Sequence, residues 1–106
     1  MSKNKNYRAG SGYEYRRLDR LKEDPCFVKG ERFYASRGIC DIWYVRKEGE
    51  KLTYYEEQCK YSKTKATIST EEFIRLLNYA MDNEGKIKVA LTSKVSRQPE
   101  QVWWLN

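Results

Sequence analysis

Three polar side chains, Asp41, Gln58 and Lys60, stand in two short segments on either side of a polar turn. Asp41 lies within Gly38-Ile39-Cys40-Asp41-Ile42-Trp43, and the other two lie within Tyr55-Glu56-Glu57-Gln58-Cys59-Lys60. If both segments are strands of one hairpin, the three side chains project from one face of one sheet. A carboxylate, an amide and an ammonium group placed together can bind a metal ion and a phosphate, which is the chemistry of a metal-dependent phosphodiesterase.

The hairpin that positions these groups is aligned from its turn. Residues 41–46 alternate, and residues 52–61 are rich in strand-forming Tyr and Thr. A four-residue loop over residues 48–51 pairs Lys47 with Leu52, Val45 with Tyr54, Trp43 with Glu56, and Asp41 with Gln58. Opposed side chains then lie about 5 Å apart at Cβ, and Lys60 follows on the face of Gln58. A slip of one residue would separate the polar groups onto two faces.

A fourth candidate, Glu14, lies on the first predicted helix. This helix runs from residue 13 to about residue 22 after the Gly10-Ser11-Gly12 entry, and Glu14 shares a stripe with Leu18 and Leu21. An ionised carboxylate on an apolar stripe is costly unless it is paired or coordinated. Glu14 is therefore expected to have a partner at the site.

The remaining elements predict an α+β fold. Short strands are expected at residues 26–28 and 32–35, broken at Gly30, a capping box at 69–72 opens a helix over 70–83, and strands follow at 86–91 and 101–105. This order predicts a central mixed, largely antiparallel β-sheet of about five strands flanked by helices. Residues 10–106 form one domain, and the polar, basic residues 1–9 predict a flexible arm.

Composition narrows the possible chemistry and partners. The 106 residues carry 21 Lys and Arg against 15 Asp and Glu, a net charge of +6 that suits a polyanion. The absence of His leaves carboxylates, lysine or water to run any reaction. Three cysteines without a CxxC pair indicate neither a zinc site nor a secreted disulfide framework, so an intracellular location with DNA is expected. No apolar run approaches the about 20 residues that cross a bilayer.

With these residues in place, the chain resembles the archaeal-type Holliday junction resolvases, small members of the restriction-endonuclease-like PD-(D/E)xK nuclease superfamily. The matching segments are Arg8-Ala9-Gly10-Ser11-Gly12-Tyr13-Glu14-Tyr15-Arg16, Tyr34-Ala35-Ser36-Arg37-Gly38-Ile39-Cys40-Asp41-Ile42, and Gln58-Cys59-Lys60 with the Ser/Lys-rich segment after it. The similarity runs nearly end to end. It implies a restriction-endonuclease-like fold, Mg²⁺ or Mn²⁺ as cofactor, branched DNA as substrate and a homodimer in which each subunit cuts one strand.

The resemblance also implies a role for each matched residue. Asp41 is the principal metal ligand, and Glu14 holds the metal or its water from the helix side. Gln58 stands where the family usually has glutamate and ligates through an uncharged amide oxygen. Lys60 orients or activates the attacking water, and Ser36 contacts the scissile phosphate. The implied reaction is in-line attack by a metal-bound water on a backbone phosphate of a four-way junction.

Basic side chains around the motifs predict contacts to DNA phosphates without base readout. They are Lys3, Lys5 and Arg8 on the arm, Arg16 and Arg17 on the first helix, Arg37 in the loop, and Lys63 and Lys65 after the metal strand. The second side of the 70–83 helix and Trp103-Trp104 offer apolar surface for a dimer. Since neighbouring strand residues point to opposite faces, one Trp is expected to be exposed or in an interface. Cys40 and Cys59 are expected to oppose each other in the hairpin as buried thiols.

Other readings stay open on the sequence. A restriction- or repair-type nuclease on another DNA structure fits the same residues, and a non-catalytic nucleic-acid-binding module fits the uncharged Gln58. Without the resemblance, Asp41 at a strand start is more often a turn cap than a ligand. Taken alone, Gln58 and Lys60 are more typical of an ordinary solvated face, and residues 36–38 are more typical of a plain turn. The short chain is compatible with an archaeal or a viral source.

Overall fold

The computed structural model describes residues 5–33 and 38–106, with side chains from residue 12 onward. The elements are α1 (Lys5–Leu21), β1 (Phe27–Arg32), β2 (Ile42–Glu48), β3 (Lys51–Ser62), α2 (Thr70–Asp82), β4 (Ile87–Val95) and β5 (Gln101–Trp104). The five strands form one sheet in the order β1-β2-β3-β4-β5. Only the β3–β4 pair is parallel, because α2 forms the crossover between these two strands. The predicted mixed, largely antiparallel sheet is confirmed.

The two helices cover opposite faces of the sheet, and each builds its own apolar core. On one face, α1 packs Tyr13 and Leu18 against side chains of β2 and β3 that include Tyr44. On the other face, α2 packs Leu76 and Ala80 against β4. Successive residues of β3 point alternately into the two layers. Neighbouring residues of this strand therefore have separate surroundings.

The register predicted for the central hairpin is confirmed. Strand β2 pairs with β3 through Lys47↔Leu52, Val45↔Tyr54 and Trp43↔Glu56. The ladder also includes Glu48↔Lys51, so the loop is two residues long and not four. Gly49 takes a φ of 67° in this loop, a left-handed conformation that glycine adopts without a Cβ clash.

Strand β1 corrects the prediction of two short strands broken at Gly30. The strand continues through Gly30, which pairs with Tyr44, and its irregularity lies earlier, between Phe27 and Lys29. A Cβ at Gly30 would lie 2.6 Å from the Tyr44 Cβ and 2.7 Å from the Trp43 carbonyl oxygen. Glycine is therefore needed here for close approach to β2, and it does not end the strand.

The helix boundaries were predicted correctly for α2 and wrongly for the start of α1. Ser69 caps α2, with its hydroxyl accepting from the Glu72 amide and the Glu72 side chain returning to the Ser69 amide, as the capping box predicts. Helix α1 begins at Lys5 and runs through Gly10-Ser11-Gly12. Glycine and serine lower helix propensity without forbidding the helix. Residues 1–4 of the predicted arm lie outside the described residues, and the division into arm and domain stays a prediction.

Cys40 and Cys59 were expected to oppose each other, and this prediction is wrong. Cys40 packs in the α2 layer beside Leu76, whereas Cys59 packs in the α1 layer beside Tyr13. The ladder ends at Ile42, so the chain at Cys40 is free to turn toward α2. Both cysteines are unbridged. In the described part of the chain, neither helix has the length and apolar character needed to span a membrane.

Candidate functional site

Asp41 sits where strand β2 begins, and its backbone extends the sheet on both sides. Its amide donates to the Glu57 carbonyl at 2.8 Å, and its carbonyl accepts from the Phe33 amide at 2.8 Å. Its carboxylate Oδ2 accepts from the Cys59 amide at 2.7 Å. The Cys59 amide of β3 thus donates to the side chain of Asp41 and not to a backbone carbonyl, and this bond fixes the direction of the carboxylate. Among the described residues, Oδ1 accepts no hydrogen bond and is the oxygen left for a ligand.

Gln58 meets Asp41 across the hairpin, as the register predicts. The Gln58 Nε2 donates to Asp41 Oδ2 at 3.2 Å. This contact turns the amide nitrogen toward the carboxylate, so the amide oxygen reaches a shared ligand only after the amide turns over. An uncharged partner also avoids the repulsion that a second carboxylate would bring.

The surroundings of Asp41 favour its neutral form. Burial raises the pKa of Asp41 to about 6, the Cys59 amide opposes this rise, and the negative charge of Glu14 adds to it, while Lys60 and Arg32 lower the pKa. Glu14 is therefore close enough for its charge to act on Asp41, although the two come from different elements. A cation at this place would be stabilised by both carboxylates.

Glu14 does have a partner, as its place on an apolar stripe predicts. Arg32 Nε donates to Glu14 Oε1 at 2.7 Å, and both side chains are largely buried. The Arg32 guanidinium also lies over the Tyr15 ring, 5.0 Å from its centroid. The pair joins α1 to the end of β1 beside Asp41.

Lys60 lies two residues beyond Gln58 on the same sheet face, and its ammonium reaches helix α2. The Lys60 Nζ lies 3.0 Å from Glu72 Oε2. The same Glu72 side chain forms the capping box with Ser69. An open cleft of about 220 Å³ lies beside this pair, lined by Gly38, Ile39, Asp41, Gln58, Glu72 and Arg75. Asp41 and Gln58 therefore come together as predicted, whereas Lys60 reaches this cleft through its contact with Glu72.

The residues described contain no group of three or more His, Cys, Asp or Glu side chains that could hold a metal ion. The available donors are Asp41 Oδ1, the Glu14 carboxylate and the Gln58 amide oxygen. Mg²⁺ prefers oxygen ligands and keeps several waters when one or two carboxylates bind it. The donor chemistry fits such an ion, and the predicted ligand set stays a prediction.

The residues predicted to contact DNA are only partly described. Lys3, Ser36 and Arg37 lie outside the described residues, and Lys5 and Arg8 lie in α1 with undescribed side chains. Arg16 is exposed, with its guanidinium 5.6 Å from the Tyr61 ring centroid. Lys63 and Lys65 are exposed just after β3. Tyr61 also belongs to the end of β3, so these cations extend from the same end of the strand as Lys60.

Arg17 was expected to contact DNA, and the structure contradicts this expectation. Its guanidinium is buried and donates twice to Glu57, through Nε and Nη2 at 2.8 Å each, and once to Glu100 at 2.7 Å. Glu57 is fully buried and also accepts from Tyr44 at 2.5 Å and Thr92 at 2.7 Å. This network satisfies a buried charge on the face of β3 opposite the cleft.

Sequence reasoning missed three residues at the site: Arg32, Glu72 and Arg75. Glu72 was interpreted only as part of the capping box, although its position three residues after the cap also places it on the side of α2 that faces β3. Arg32 follows the alternation of β1 and pairs with Ile42, next to Asp41. Both follow from element positions that could be assigned only once the sheet order was known.

These features define an α+β domain with a mixed five-stranded sheet, one helix on each face and a polar cleft at the end of its central hairpin. No protein-family model and no curated protein sequence matches the chain significantly. Among solved structures, the chain is similar to the Holliday junction resolvase of the archaeal hyperthermophile Archaeoglobus fulgidus, with a TM-score of 0.66 and 21% identity. The match covers 91% of this chain and 72% of the resolvase, and it confirms the predicted fold.

Proposed function

We propose that the chain is a Mg²⁺-dependent, structure-selective DNA endonuclease that resolves four-way (Holliday) junctions, with Mn²⁺ as an alternative ion. The observation that carries the proposal is the cleft that brings Asp41 and Gln58 together beside Lys60. A resolvase-like fold around this cleft, and the net charge of +6, support a DNA substrate.

Asp41 supplies the fixed negative charge of the proposed site. The Cys59 amide donates to its Oδ2, so Oδ1 is the oxygen that would hold the ion. Glu14, whose negative charge acts on Asp41 from α1, and the amide oxygen of Gln58 would be the other donors. When bound, Mg²⁺ supplies Lewis-acid polarisation of the scissile phosphate.

Lys60 works on the phosphate and the water. It lies on the same face as Gln58, so its ammonium can donate to a nonbridging oxygen of the scissile phosphate, and in that position it orients the attacking water. A cation placed where negative charge develops lowers the barrier, because the charge is stabilised more in the transition state than in the ground state. Contact of Ser36 with the same phosphate remains part of the proposal.

Two exposed surfaces support the binding side of the proposal. Arg16, Lys63 and Lys65 extend the positive charge of Lys60 along the end of β3 and contact phosphates.

A homodimer gives one site for each of the two strands to be cut. Exposed apolar side chains available for its interface are Phe73, Ile74 and Met81 on α2, and Trp103 and Trp104 on β5. Both tryptophans are 46% exposed, where only one was expected to be.

A second candidate is a non-catalytic module that binds branched DNA. Three observations favour it: Gln58 brings no charge, Glu14 is engaged by Arg32, and Lys60 is engaged by Glu72. In this function the same cleft and basic side chains bind the junction, and no phosphate is hydrolysed.

Cleavage of a synthetic four-way junction distinguishes the two candidates. The cleavage rates of wild type, Asp41→Asn and Asp19→Asn are compared in the presence of Mg²⁺, of Mn²⁺ or of a chelator. A duplex and a flap substrate are tested beside the junction. Asp19 is exposed on α1 and serves as the matched control. We expect wild type and Asp19→Asn to cut the junction only with metal, and Asp41→Asn to lose on the order of 100-fold or more in rate.

Tight junction binding without cleavage by any of the three proteins would refute the enzyme and support the binding module. Cleavage of the duplex or the flap at the rate of the junction would indicate a restriction- or repair-type nuclease. Cleavage by Asp41→Asn at the wild-type rate would remove Asp41 from the site.

A further inference from the structure

The carboxylate of Glu72 is held from two sides. Its Oε1 accepts from the Ser69 amide and from the Ser69 hydroxyl, each at 3.3 Å, while the Ser69 hydroxyl accepts from the Glu72 amide at 3.1 Å. Its Oε2 lies 3.0 Å from Lys60 Nζ. One oxygen of Glu72 therefore belongs to the helix cap, and the other contacts Lys60.

The helix cap fixes where the lysine ends. A lysine side chain is long and flexible and loses much rotamer freedom when it is held in one place. The Lys60 side chain is 23% exposed and that of Glu72 is 41% exposed, so the pair contributes little to folding stability. The contact therefore has more effect on the position of the ammonium group than on the fold.

Glu72 also faces the ligand space directly. It lines the cleft together with Asp41, Gln58 and Arg75. An ammonium group tied to Glu72 is consequently held at the rim of the space where the phosphate would lie. Ordering a catalytic group before the substrate arrives removes an entropic cost from the reaction.

We propose that Glu72 is a positioning residue, which holds the Lys60 ammonium at the cleft for the scissile phosphate. This inference rests on the proposed nuclease function. It assigns Glu72 a role through Lys60 and no contact with the reacting atoms.

The chain allows the charge of Glu72 to be separated from its cap. Glutamine at this position keeps the capping box, since the motif accepts Glu or Gln, but it removes the charge that holds Lys60. Glu71→Gln is the matched control, because Glu71 is an exposed acid in the same first turn of α2. Ser69→Ala gives the converse change, in which the cap is lost and the charge is kept.

Single-turnover cleavage and junction affinity are measured for these variants and for Lys60→Ala. We expect Glu72→Gln to slow the chemical step on the order of tenfold with the junction Kd within about twofold, because positioning acts on the bound complex. Glu71→Gln keeps the wild-type rate. In the Lys60→Ala background, Glu72→Gln has no further effect on the rate, which is the non-additivity expected of one residue acting through another.

A second readout does not depend on cleavage. An ammonium group in a lasting hydrogen bond exchanges its protons slowly with water and gives a detectable nitrogen-correlated NMR signal. We expect the Lys60 signal in wild type and Glu71→Gln and its loss in Glu72→Gln.

Additive effects of Lys60→Ala and Glu72→Gln in a cleaving enzyme would overturn the positioning role and leave the nuclease function standing. A faster Glu72→Gln enzyme would overturn it too, and would show that Glu72 holds Lys60 away from the phosphate. Absence of the Lys60 signal from wild type also overturns the role. No cleavage by wild type would refute the nuclease function itself, and this role with it.

Discussion

The carboxylate of Asp41 is expected to destabilise the fold that presents it. Burial and the nearby charge of Glu14 raise the pKa of Asp41 from its ordinary 3.8 to about 6, although the Cys59 amide opposes the rise. The folded protein therefore holds a proton on Asp41 more tightly than the unfolded chain does. Between pH 3.8 and about 6 its free energy of unfolding falls as the pH rises.

The magnitude follows from the pKa. One pKa unit corresponds to about 1.4 kcal/mol, so ionising Asp41 removes up to about 3 kcal/mol of stability above about pH 6. Asp41→Asn has no charge to bury. Its amide oxygen can accept from the Cys59 amide, and its NH₂ group can donate to Gln58 once that amide turns over. We therefore expect Asp41→Asn to be more stable than wild type by about 2–3 kcal/mol at neutral pH and equal to it near pH 4.

Urea unfolding followed by circular dichroism from about pH 4 to about pH 8 measures this difference, with Asp19→Asn as the matched control. The advantage of Asp41→Asn should grow through the acidic range and level off above about pH 6, and Asp19→Asn should show no such growth. An Asp41→Asn protein that unfolds at the wild-type urea concentration at about pH 8 would refute the reasoning. The same substitution that stabilises the protein is expected to slow cleavage on the order of 100-fold or more, which is the trade-off between stability and activity common at active sites.

Three further predictions concern Gln58 in the cleft, the buried Arg17 and the close approach of β1 to β2 at Gly30. Gln58→Glu places a second carboxylate beside Asp41. It should lower the Mg²⁺ concentration for half-maximal cleavage on the order of tenfold, and it should lower the melting temperature of the metal-free protein. An unchanged Mg²⁺ requirement would count against Gln58 as a ligand. Arg17→Met leaves the charge of Glu57 buried without its ion pair, so it should lower the free energy of unfolding measured in urea by about 3–5 kcal/mol. Adding Glu57→Gln should restore part of this loss. A loss below about 1 kcal/mol would contradict a buried Arg17–Glu57 ion pair. Gly30→Ala forces β1 away from β2 and should cost at least about 1–3 kcal/mol, and wild-type stability would show that the strands approach less closely than described.

The sequence predicted the central hairpin because its determinants are local. Alternation along both strands and one polar turn favour the register that the structure has, although a slip of one residue stayed open on the sequence, and this register puts Asp41 opposite Gln58. The capping box at Ser69 is equally local, since its partners lie within one helical turn. Both features depend on residues close in sequence, and both were predicted correctly.

Features that depend on distant contacts were missed. Gly30 was interpreted as a strand break, because the close approach of β2 that requires glycine is invisible in the sequence. Arg17 was assigned to the surface, as charged residues usually are, because its partner Glu57 lies 40 residues away. The polar groups of the candidate site were therefore predicted, but two of their partners were not. Arg32, which pairs with Glu14, and Glu72, which pairs with Lys60, could be identified only from the folded structure.

The alternation of β3 between two layers has a consequence for how this strand can change by mutation. Glu57 and Cys59 are buried beneath α1, while Gln58 lines the cleft and Lys60 contacts Glu72 of α2. Each of these four consecutive positions is therefore constrained by different contacts. Residues 51–54 at the other end of the strand are mostly exposed and carry no such constraint. Random substitutions along β3 should therefore be tolerated near the turn and should destabilise the fold or alter the cleft near residues 57–60.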